Sequence, residues 1–344
     1  MGNRMEVTIT KGDLTDKLKS KYFIVILSNE ENLKKCINNN VAGFPETDNG
    51  IWAYLDIRRG DYISFYYNGR IFNLYKVEKK YIPYEFKNKK GMGSEEYDPV
   101  ALPNNQKWKA ISTKKGKIYF PYRLSLSLIK ETNFETSLIF KDGFERFGIN
   151  LVPRAGLKKS HFQLSIIDIK KVFSIENVSI TRSAFTLSDF VEIAKRMFSN
   201  ISSFSIRDLT NKEIFLQSLI KRVLEASINK YAGIFNIETY DNFEFLSEQT
   251  VYGGEADIVI ANEAKNIAFI EVKNGSILNK KGELTKVGKE AYEQVKSYKD
   301  VINPNKKIKK FIAGKRKIEN DTLLKIIEKE DINVIEINTE FNVT

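Results

Sequence analysis

Short apolar runs separated by turn residues dominate the first half of the chain. The run at 23–27 predicts a buried strand, and residues 28–40 carry apolar positions four apart, which predicts a helix. Residues 62–82 predict two strands joined by an Asn-Gly turn, a dipeptide typical of hairpins. A further strand is predicted at 118–129. The first half should therefore be rich in strands, with few helices.

The second half alternates helices and strands. Helical periodicity covers 186–200 and 211–231, and two apolar strands flank a turn at 262–266. The remaining predicted elements are a helix at 286–302, a strand at 309–314, a helix at 319–330 and a strand at 332–338. This order is typical of a mixed α/β domain, so the change between the two halves places a domain boundary near 173–205.

The charge of the chain favours a polyanionic partner. Fifty-five lysines and arginines against 44 aspartates and glutamates give a net charge of +11 and a pI of about 9.3. Nucleic acid is favoured over an anionic membrane surface, although many basic proteins bind neither. We expect a soluble cytoplasmic protein. The apolar runs are too short to span a bilayer, and the N-terminus lacks the apolar core of a signal peptide.

Rare residues exclude several chemistries. A single histidine, His161, and a single cysteine, Cys36, rule out a disulfide framework, a thiolate zinc site and a paired-histidine metal site. No glycine-rich phosphate loop ends in Lys-Ser or Lys-Thr, so no ATP motor is expected in this chain. His161 is predicted to be an ordinary loop residue and Cys36 a packing residue on a helix. Catalysis must rest on carboxylates, lysine, serine or tyrosine.

Charged residues interrupt the apolar strands around the turn at 262–266. Asp257 lies at the start of the first strand, and Glu271 and Lys273 lie two residues apart near the end of the second, so they share a face. Hairpin pairing would place Asp257 beside both. Carboxylates among apolar residues are costly unless they are paired or bind a metal. The alternative is an exposed hairpin with ordinary surface charges.

Two carboxylates and one ammonium suit phosphodiester hydrolysis. Asp257 and Glu271 supply hard oxygen ligands, which predicts a Mg²⁺ site in which Mn²⁺ can substitute. Such a metal stabilises charge on the phosphate and lowers the pKa of a bound water. Lys273 is predicted either to orient that water or to stabilise the developing negative charge.

The same segment resembles a known nuclease superfamily. Asp257 and the run Glu271-Val272-Lys273, on a hairpin with a helix before and after it, resemble the PD-(D/E)XK nucleases. Ala256 stands where the name of that superfamily has proline. The resemblance covers about 205–340 and implies a mixed sheet flanked by helices.

The flanking helices supply further candidates. Gln294 and Tyr298, four residues apart on one helical face, resemble the QxxxY element of the RecB-type branch, which implies a catalytic role for Gln294. The family often adds a glutamate from the preceding helix, and Glu213 and Glu225 are the candidates. Glu213 aligns with apolar residues, whereas Glu225 aligns with a polar face that should be solvated. Glu213 is therefore predicted, with a first-turn acid beside the helix dipole as its alternative role.

Segments of the first half resemble EVE domains, which have a PUA-like fold and are related to YTH readers. They are FIVILSNEENL at 23–33, RRGDYISFY at 58–66 and KIYFPYRLSL at 117–126, and residues 148–164 fit the end of such a domain. The resemblance covers about 20–172. It implies a small β-barrel with helices and a pocket that receives one base flipped out of nucleic acid, often a modified one.

A base pocket needs aromatic faces for stacking and a few polar groups. The candidates are Trp52, Tyr66, Trp108, Ser28 and Asn29, each of which has a core or surface role as its alternative. Trp108 is favoured because it lies in a polar, basic segment where a core role is less expected.

Clustered lysines predict contacts with the DNA backbone, with an ordinary solvated surface as the alternative. The candidates are Lys107, Lys109, Lys114 and Lys115 around Trp108, and Lys309 and Lys310 near the predicted nuclease core.

Together these features predict an α+β protein with a PUA-like domain at 1–175, a connecting segment at 176–205 and a nuclease domain at 206–344. The predicted function is a metal-dependent restriction-type endonuclease acting on double-stranded DNA, either modification-dependent or an ordinary type II enzyme that flips a base. Cleavage of two strands needs two sites, so a homodimer is expected, at least on DNA. The alternatives are a structure-specific repair nuclease of the RecB-like branch and a non-catalytic binding protein with a degenerate nuclease fold.

Overall fold

The structure is a computed structural model. It describes residues 7–9, 20–82, 111–113, 116–118, 120–136, 160–164, 173–174, 204–205, 207, 210–235, 243–262, 265–301, 303–318, 322–329, 331–340 and 342–343. These residues fall into two compact units. The N-terminal unit lies within Lys19–Ser183, and the C-terminal unit lies within Ile201–Thr344 together with one strand from the start of the chain. The predicted helix at 186–200 lies outside the described residues.

The first strand, β1 (Val7–Ile9), corrects the predicted domain division. It pairs antiparallel with residues 324–326 and so belongs to the sheet of the C-terminal unit, although the prediction placed 1–175 in one domain. Sequence proximity favoured the first domain, but the edge of the second sheet supplies the hydrogen-bonding partner.

The N-terminal unit is rich in strands, as predicted. Its elements are β2 (Tyr22–Ile26), α1 (Glu30–Asn39), β3 (Val41–Phe44), α2 (Asp48–Asp56), β4 (Tyr62–Tyr67), β5 (Arg70–Tyr81), β6 (Ile111–Thr113), β7 (Gly116–Ile118), β8 (Tyr122–Glu135) and β9 (His161–Leu164). Six of them form a sheet in the order β3-β8-β5-β4-β2-β9, and β6 pairs with β7. Strands β2 and β4 are parallel, and the other neighbours in the six-stranded sheet are antiparallel.

Two turns show why the sequence folds this way. Asn68 and Gly69 both have positive φ, 46° and 75°, which a two-residue hairpin turn between β4 and β5 requires. Before β4, the buried carboxylate of Asp61 accepts hydrogen bonds from the backbone N–H groups of Lys21 and Arg58, at 2.8 and 2.7 Å. This carboxylate therefore ties the start of β4 to the chain just before β2.

The C-terminal unit carries the second large sheet. Its elements are β10 (Phe204–Ser205), α3 (Glu213–Ala226), α4 (Ile228–Phe235), β11 (Phe243–Val251), β12 (Gly254–Asn262), β13 (Lys265–Lys273), α5 (Lys286–Ser297), β14 (Lys309–Arg316), β15 (Leu324–Lys329), β16 (Ile332–Asn338) and β17 (Asn342–Val343). Seven strands form one sheet in the order β1-β15-β16-β14-β13-β12-β11. The molecule is thus of mixed α+β class, with two large sheets and few helices among the described residues.

The centre of this sheet joins two kinds of pairing. Strands β11, β12 and β13 form an antiparallel meander, and β14 then lies parallel to β13 after the crossover through α5. Ala291, Val295 and Tyr298 pack against Phe269 and Ile312 in one apolar core, which holds α5 on a face of the sheet. The end of α5 therefore faces the strands that carry the candidate residues.

The predicted helix at 319–330 is wrong. Residues 324–329 form β15, which pairs antiparallel with β16. Along this strand, Leu324 and Ile326 are buried while Lys325 and Ile327 are partly exposed, which is the period of a strand. Pairing on both sides outweighs the helical propensity of this lysine- and glutamate-rich segment.

Candidate active site

The hairpin of β12 and β13 brings the predicted acidic residues together. Ile258 pairs with Ile270, so Asp257 and Glu271 occupy the next position of the antiparallel ladder. The Asp257 carboxylate accepts a hydrogen bond from the backbone N–H of Val272, with an Oδ2–N distance of 2.6 Å. The side-chain amide of Gln217 on α3 donates to the backbone carbonyl of Asp257. Helix and neighbouring strand thus both fix the position of Asp257.

Glu271 is the most enclosed member of the cluster, with an exposed fraction of 1%. Its Oε1 atom lies 2.5 Å from Lys273 Nζ, and its Oε2 atom lies 2.6 Å from the hydroxyl of Tyr298. Glu271 and Lys273 share a face of β13, as their spacing predicted. A buried carboxylate with a partner on each oxygen is held in one orientation.

Tyr298 and Gln294 join the cluster from the end of α5. The Tyr298 hydroxyl lies 2.9 Å from the Glu255 carbonyl oxygen and accepts a hydrogen bond from Gln294 Nε2 at 2.8 Å. Tyr298 is buried, whereas Gln294 is exposed. Gln294 and Tyr298 therefore lie on the side of α5 that faces the acidic cluster. Gln294 is linked to Glu271 indirectly, because the Tyr298 hydroxyl contacts both side chains.

The structure places Glu213, rather than Glu225, at this site. Glu213 Oε1 lies 3.8 Å from Lys273 Nζ, and Oε2 accepts a hydrogen bond of 3.1 Å from the backbone N–H of Asn274. The predicted reason for the choice is wrong. Glu225 and its neighbour Arg222 are buried rather than solvated. That polar face of α3 packs on the sheet, where Lys221 donates to Ser247.

Burial and like charge shape the electrostatics of the two acids. Burial raises the pKa of Asp257 well above its usual range, and the neighbouring Glu271 raises it further, against the hydrogen bond from Val272. Burial also raises the pKa of Glu271, partly offset by Lys273 and Tyr298. When both acids are ionised, their negative charge therefore exceeds the positive charge of Lys273.

Lys273 remains an ammonium group. Burial lowers its pKa, but Glu271, Glu213 and Asp257 together outweigh that effect, so the net pKa is raised. A protonated lysine donates hydrogen bonds and carries a positive charge, and it has no lone pair with which to act as a base.

The donor set fits a hydrated divalent cation in part. Within the described ranges, no group of three or more His, Cys, Asp or Glu side chains is arranged to hold a metal ion. Mg²⁺, however, is usually held by one or two carboxylates and completes its shell with waters and substrate phosphate. The carboxylates of Asp257 and Glu271, which lie close enough for the charge of Glu271 to raise the pKa of Asp257, meet that requirement.

Sequence reasoning missed three contributors to this site. Gln217 contacts Asp257, Asn274 contacts Glu213, and the Glu255 carbonyl contacts Tyr298. Gln217 follows Glu213 by one helical turn, so helical spacing was a signal that could have found it. The contacts made by the Asn274 N–H and the Glu255 carbonyl involve backbone groups, which every residue has, so no sequence pattern could predict them.

The described candidates for the base pocket lie in different environments, and Tyr66 pairs with Ile26 at the end of β2, two residues before Ser28. Trp52 has no exposed surface, and its ring packs edge-on against His161, with the centroids 4.3 Å apart. Asn29 is the N-cap of α1, where its side chain accepts hydrogen bonds from two backbone N–H groups. Tyr66 is partly exposed, Ser28 is exposed, and Trp108 lies outside the described residues.

His161 corrects another prediction. It lies in β9 rather than in a loop and is fully buried, with Nε2 3.1 Å from the carboxylate of Asp56. Cys36 is a buried packing residue on α1, which confirms the prediction.

The two predicted DNA-contacting lysines of β14 are partly buried. Lys309 donates to the backbone carbonyl of Ile234, and Lys310 donates to that of Lys296 at 2.5 Å. Burial lowers the pKa of both lysines. The other four, Lys107, Lys109, Lys114 and Lys115, lie outside the described residues.

Comparisons with known proteins give little. No protein-family model matches the chain, and no curated protein matches it. Among solved structures, the chain is similar to the YTH domain of the Zygosaccharomyces rouxii MRB1 protein in complex with N6-methyladenosine RNA. The match has 9% identity and a TM-score of 0.22 and covers 51% of this chain and 85% of that one. A likeness this distant bears on neither the fold nor the function of this chain. In the described part of the chain, no helix is long and apolar enough to cross a membrane.

Proposed function

We propose that the C-terminal unit hydrolyses phosphodiester bonds of double-stranded DNA with the help of Mg²⁺. The observation that carries this proposal is the cluster of Asp257, Glu271 and Lys273 on adjacent strands. Its support includes the helix before the hairpin, the parallel strand after α5, and the contact of Tyr298 with Glu271. Those are the features on which the resemblance to PD-(D/E)XK nucleases depends.

Each residue of the cluster has a separable task. Asp257 and Glu271 would hold the cation, which when bound stabilises phosphate charge and acidifies a water. The Val272 N–H orients Asp257, and Tyr298 orients Glu271. These fixed orientations lower the cost of organising the site when substrate arrives.

Lys273 supplies charge rather than a base. Because its pKa is raised, its ammonium group stays protonated at neutral pH and can stabilise negative charge that develops on the phosphate. Glu213, 3.8 Å away, positions this ammonium group from the start of α3. The sequence left two roles for Lys273, orienting the water and stabilising charge. The protonated ammonium group favours the second role.

The finer proposal is a restriction-type endonuclease. In it, the N-terminal unit reads a flipped and possibly modified base, and two copies of the chain cut the two strands. The basic character of the chain supports a DNA partner, since lysine and arginine contacts with phosphate supply much of the binding free energy. The complete set of Asp257, Glu271 and Lys273 disfavours a degenerate, non-catalytic fold.

Cleavage of supercoiled plasmid by the full-length protein tests the proposal. We expect Mg²⁺-dependent conversion to linear DNA, and none in EDTA. Parallel plasmids that carry adenine methylation, cytosine methylation or no methylation separate a modification-dependent enzyme from an ordinary one. Cleavage that is equally fast in EDTA, or no cleavage of any of the three plasmids with Mg²⁺ or Mn²⁺, would contradict the proposed function.

A further inference from the structure

An exposed tyrosine lies beside the acidic cluster. Tyr252 follows β11 and precedes β12, and 64% of its surface is exposed. In the described part of the C-terminal unit it is the one large hydrophobic side chain that is exposed. An exposed aromatic ring offers a face on which a nucleic-acid base can stack.

The backbone that carries Tyr252 is held rigidly. Tyr252 and Lys299 exchange two backbone hydrogen bonds, with N–O distances of 2.9 and 3.1 Å. Gly253 has φ +95°, and a Cβ atom at this position would lie 3.0 Å from the Ser297 carbonyl oxygen, so the turn packs closely on the end of α5. Residues that exchange both hydrogen bonds project their side chains to the same side. Tyr252 and Lys299 therefore present a ring and an ammonium group together.

The turn is also connected to the acidic cluster. A Cβ atom at Gly254 would lie 3.6 Å from the ring of Tyr298. The next residue, Glu255, places its carbonyl oxygen against the Tyr298 hydroxyl, which contacts Glu271. A ligand on the turn would therefore lie beside the site that contains Asp257 and Glu271.

A lysine side chain lies near the ring, and two further lysines lie near that lysine. Lys299 Nζ lies 6.0 Å from the ring centroid of Tyr252. Burial lowers the pKa of Lys310, and the charges of Lys299 and Lys296 lower it further, partly offset by Asp331, so Lys299 and Lys296 each repel Lys310. A phosphate group would relieve that repulsion.

We propose that Tyr252 and Lys299 bind one nucleotide of the substrate strand next to the cleavage site, with its base, unstacked from the duplex, on the ring and its phosphate on the ammonium group. The inference rests on the proposed function for its substrate, and it names a contact outside the acidic cluster. Stacking tolerates every base, because every base has a π-face. The contact would therefore position the strand without selecting its sequence.

Binding of a fluorescent DNA duplex by the full-length protein tests this contact, with Ca²⁺ in place of Mg²⁺ to prevent cutting. We expect Tyr252→Ala to weaken binding by about 5- to 150-fold, the scale of one base stacked on one aromatic ring, and Tyr252→Phe to retain it. Lys299→Ala should make the slope of log affinity against log salt concentration shallower by about one, the value for one lost phosphate contact. Lys289→Ala, at an exposed position of α5, is the matched control for loss of charge.

Cross-linking of 5-iodouracil-substituted DNA gives a direct reading, because a stacked aromatic residue is the expected partner of the photoactivated base. The proposal requires a cross-link to the peptide that contains Tyr252. If Tyr252→Ala binds and cuts DNA as well as wild type does, the contact is overturned and the proposed nuclease function stands. Binding that depends on Tyr252 without any cutting would support the contact and overturn the nuclease. Absence of both binding and cutting would overturn both.

Discussion

The carboxylate of Asp257 accepts a hydrogen bond of 2.6 Å from the backbone N–H of Val272, the residue between Glu271 and Lys273. This contact ties the acid of one strand to the backbone that carries the other acid and the lysine. The relative position of the three side chains is therefore fixed by the hairpin itself, before any cation or substrate binds. The arrangement also keeps two carboxylates close together, which has a cost in stability.

That cost predicts a stabilising substitution. The folded protein keeps the Asp257 proton to a higher pH than the unfolded chain does, because burial and Glu271 raise its folded-state pKa. Stability should therefore fall as pH rises from about 4, the unfolded pKa, through the folded pKa. Asp257→Asn removes this loss, and we expect it to raise the free energy of unfolding by on the order of 1 kcal/mol at pH 8.

Urea unfolding in EDTA at pH 4 and pH 8 measures this effect. The gain should be much smaller at pH 4, where the aspartate is protonated in the folded state and about half protonated in the unfolded state. Asp331→Asn, at an exposed position of the same unit, is the control and should change little at either pH. A variant less stable than wild type at pH 8 would show that the two acids do not oppose each other.

The hydroxyl of Tyr298 should tune the pKa of Glu271. Tyr298→Phe keeps the buried ring but removes the contact with Glu271 Oε2. We expect cleavage to slow about 10- to 150-fold, because a hydrogen bond to a charged group is worth about 1.5–3 kcal/mol. Since that bond lowers the pKa of Glu271, the acid limb of the pH–rate profile should move to higher pH.

Tyr292→Phe on the same helix is the matched control, since its hydroxyl lies 3.5 Å from Asp331 rather than beside Glu271. A uniform loss of rate without movement of the acid limb would assign Tyr298 a purely structural role.

Metal dependence follows from the donor set. Two carboxylates without histidine or cysteine should favour Mg²⁺ and Mn²⁺, with Ca²⁺ supporting DNA binding but not cutting. Because the pKa values of Asp257 and Glu271 are raised, metal binding should release protons and strengthen as pH rises through those values. Calorimetry in two buffers of different ionisation enthalpy measures the released protons. Metal binding that is independent of pH, or unchanged in Asp257→Asn, would exclude Asp257 as a ligand.

The base-reading role assigned to the first half gives a separate prediction. Trp108→Ala should lose affinity for specific sites by roughly 1–3 kcal/mol, the scale of one stacked base, and spare non-specific DNA. Lys114→Ala combined with Lys115→Ala should weaken binding to all sequences and make its salt dependence shallower. Binding assays on cognate and random duplexes with the full-length protein separate the two effects. Equal losses on both duplexes for Trp108→Ala would remove it from the reading of bases.

Local patterns were enough to predict the hairpin and the placement of Asp257, Glu271 and Lys273. Alternation gave the strands, and the spacing of Glu271 and Lys273 gave their shared face. Tertiary pairing was not readable from the sequence. The segment that forms β15 has helical propensity, and β1 pairs across more than 300 positions of the chain. The buried polar face of α3 was misread for a similar reason, since residues such as Lys221 find partners on β11.

The most direct test of the central claim compares initial rates of plasmid cleavage in Mg²⁺ with DNA affinities in Ca²⁺ for wild type, Asp257→Ala, Lys273→Ala and the Lys289→Ala control. We predict that the first two variants lose roughly a hundredfold or more in rate, the scale of removing one group that stabilises transition-state charge. Their affinities should stay within a few-fold of wild type, and the control should cut normally. Cleavage by Asp257→Ala or Lys273→Ala within tenfold of the wild-type rate would contradict the assignment of this cluster as a nuclease active site.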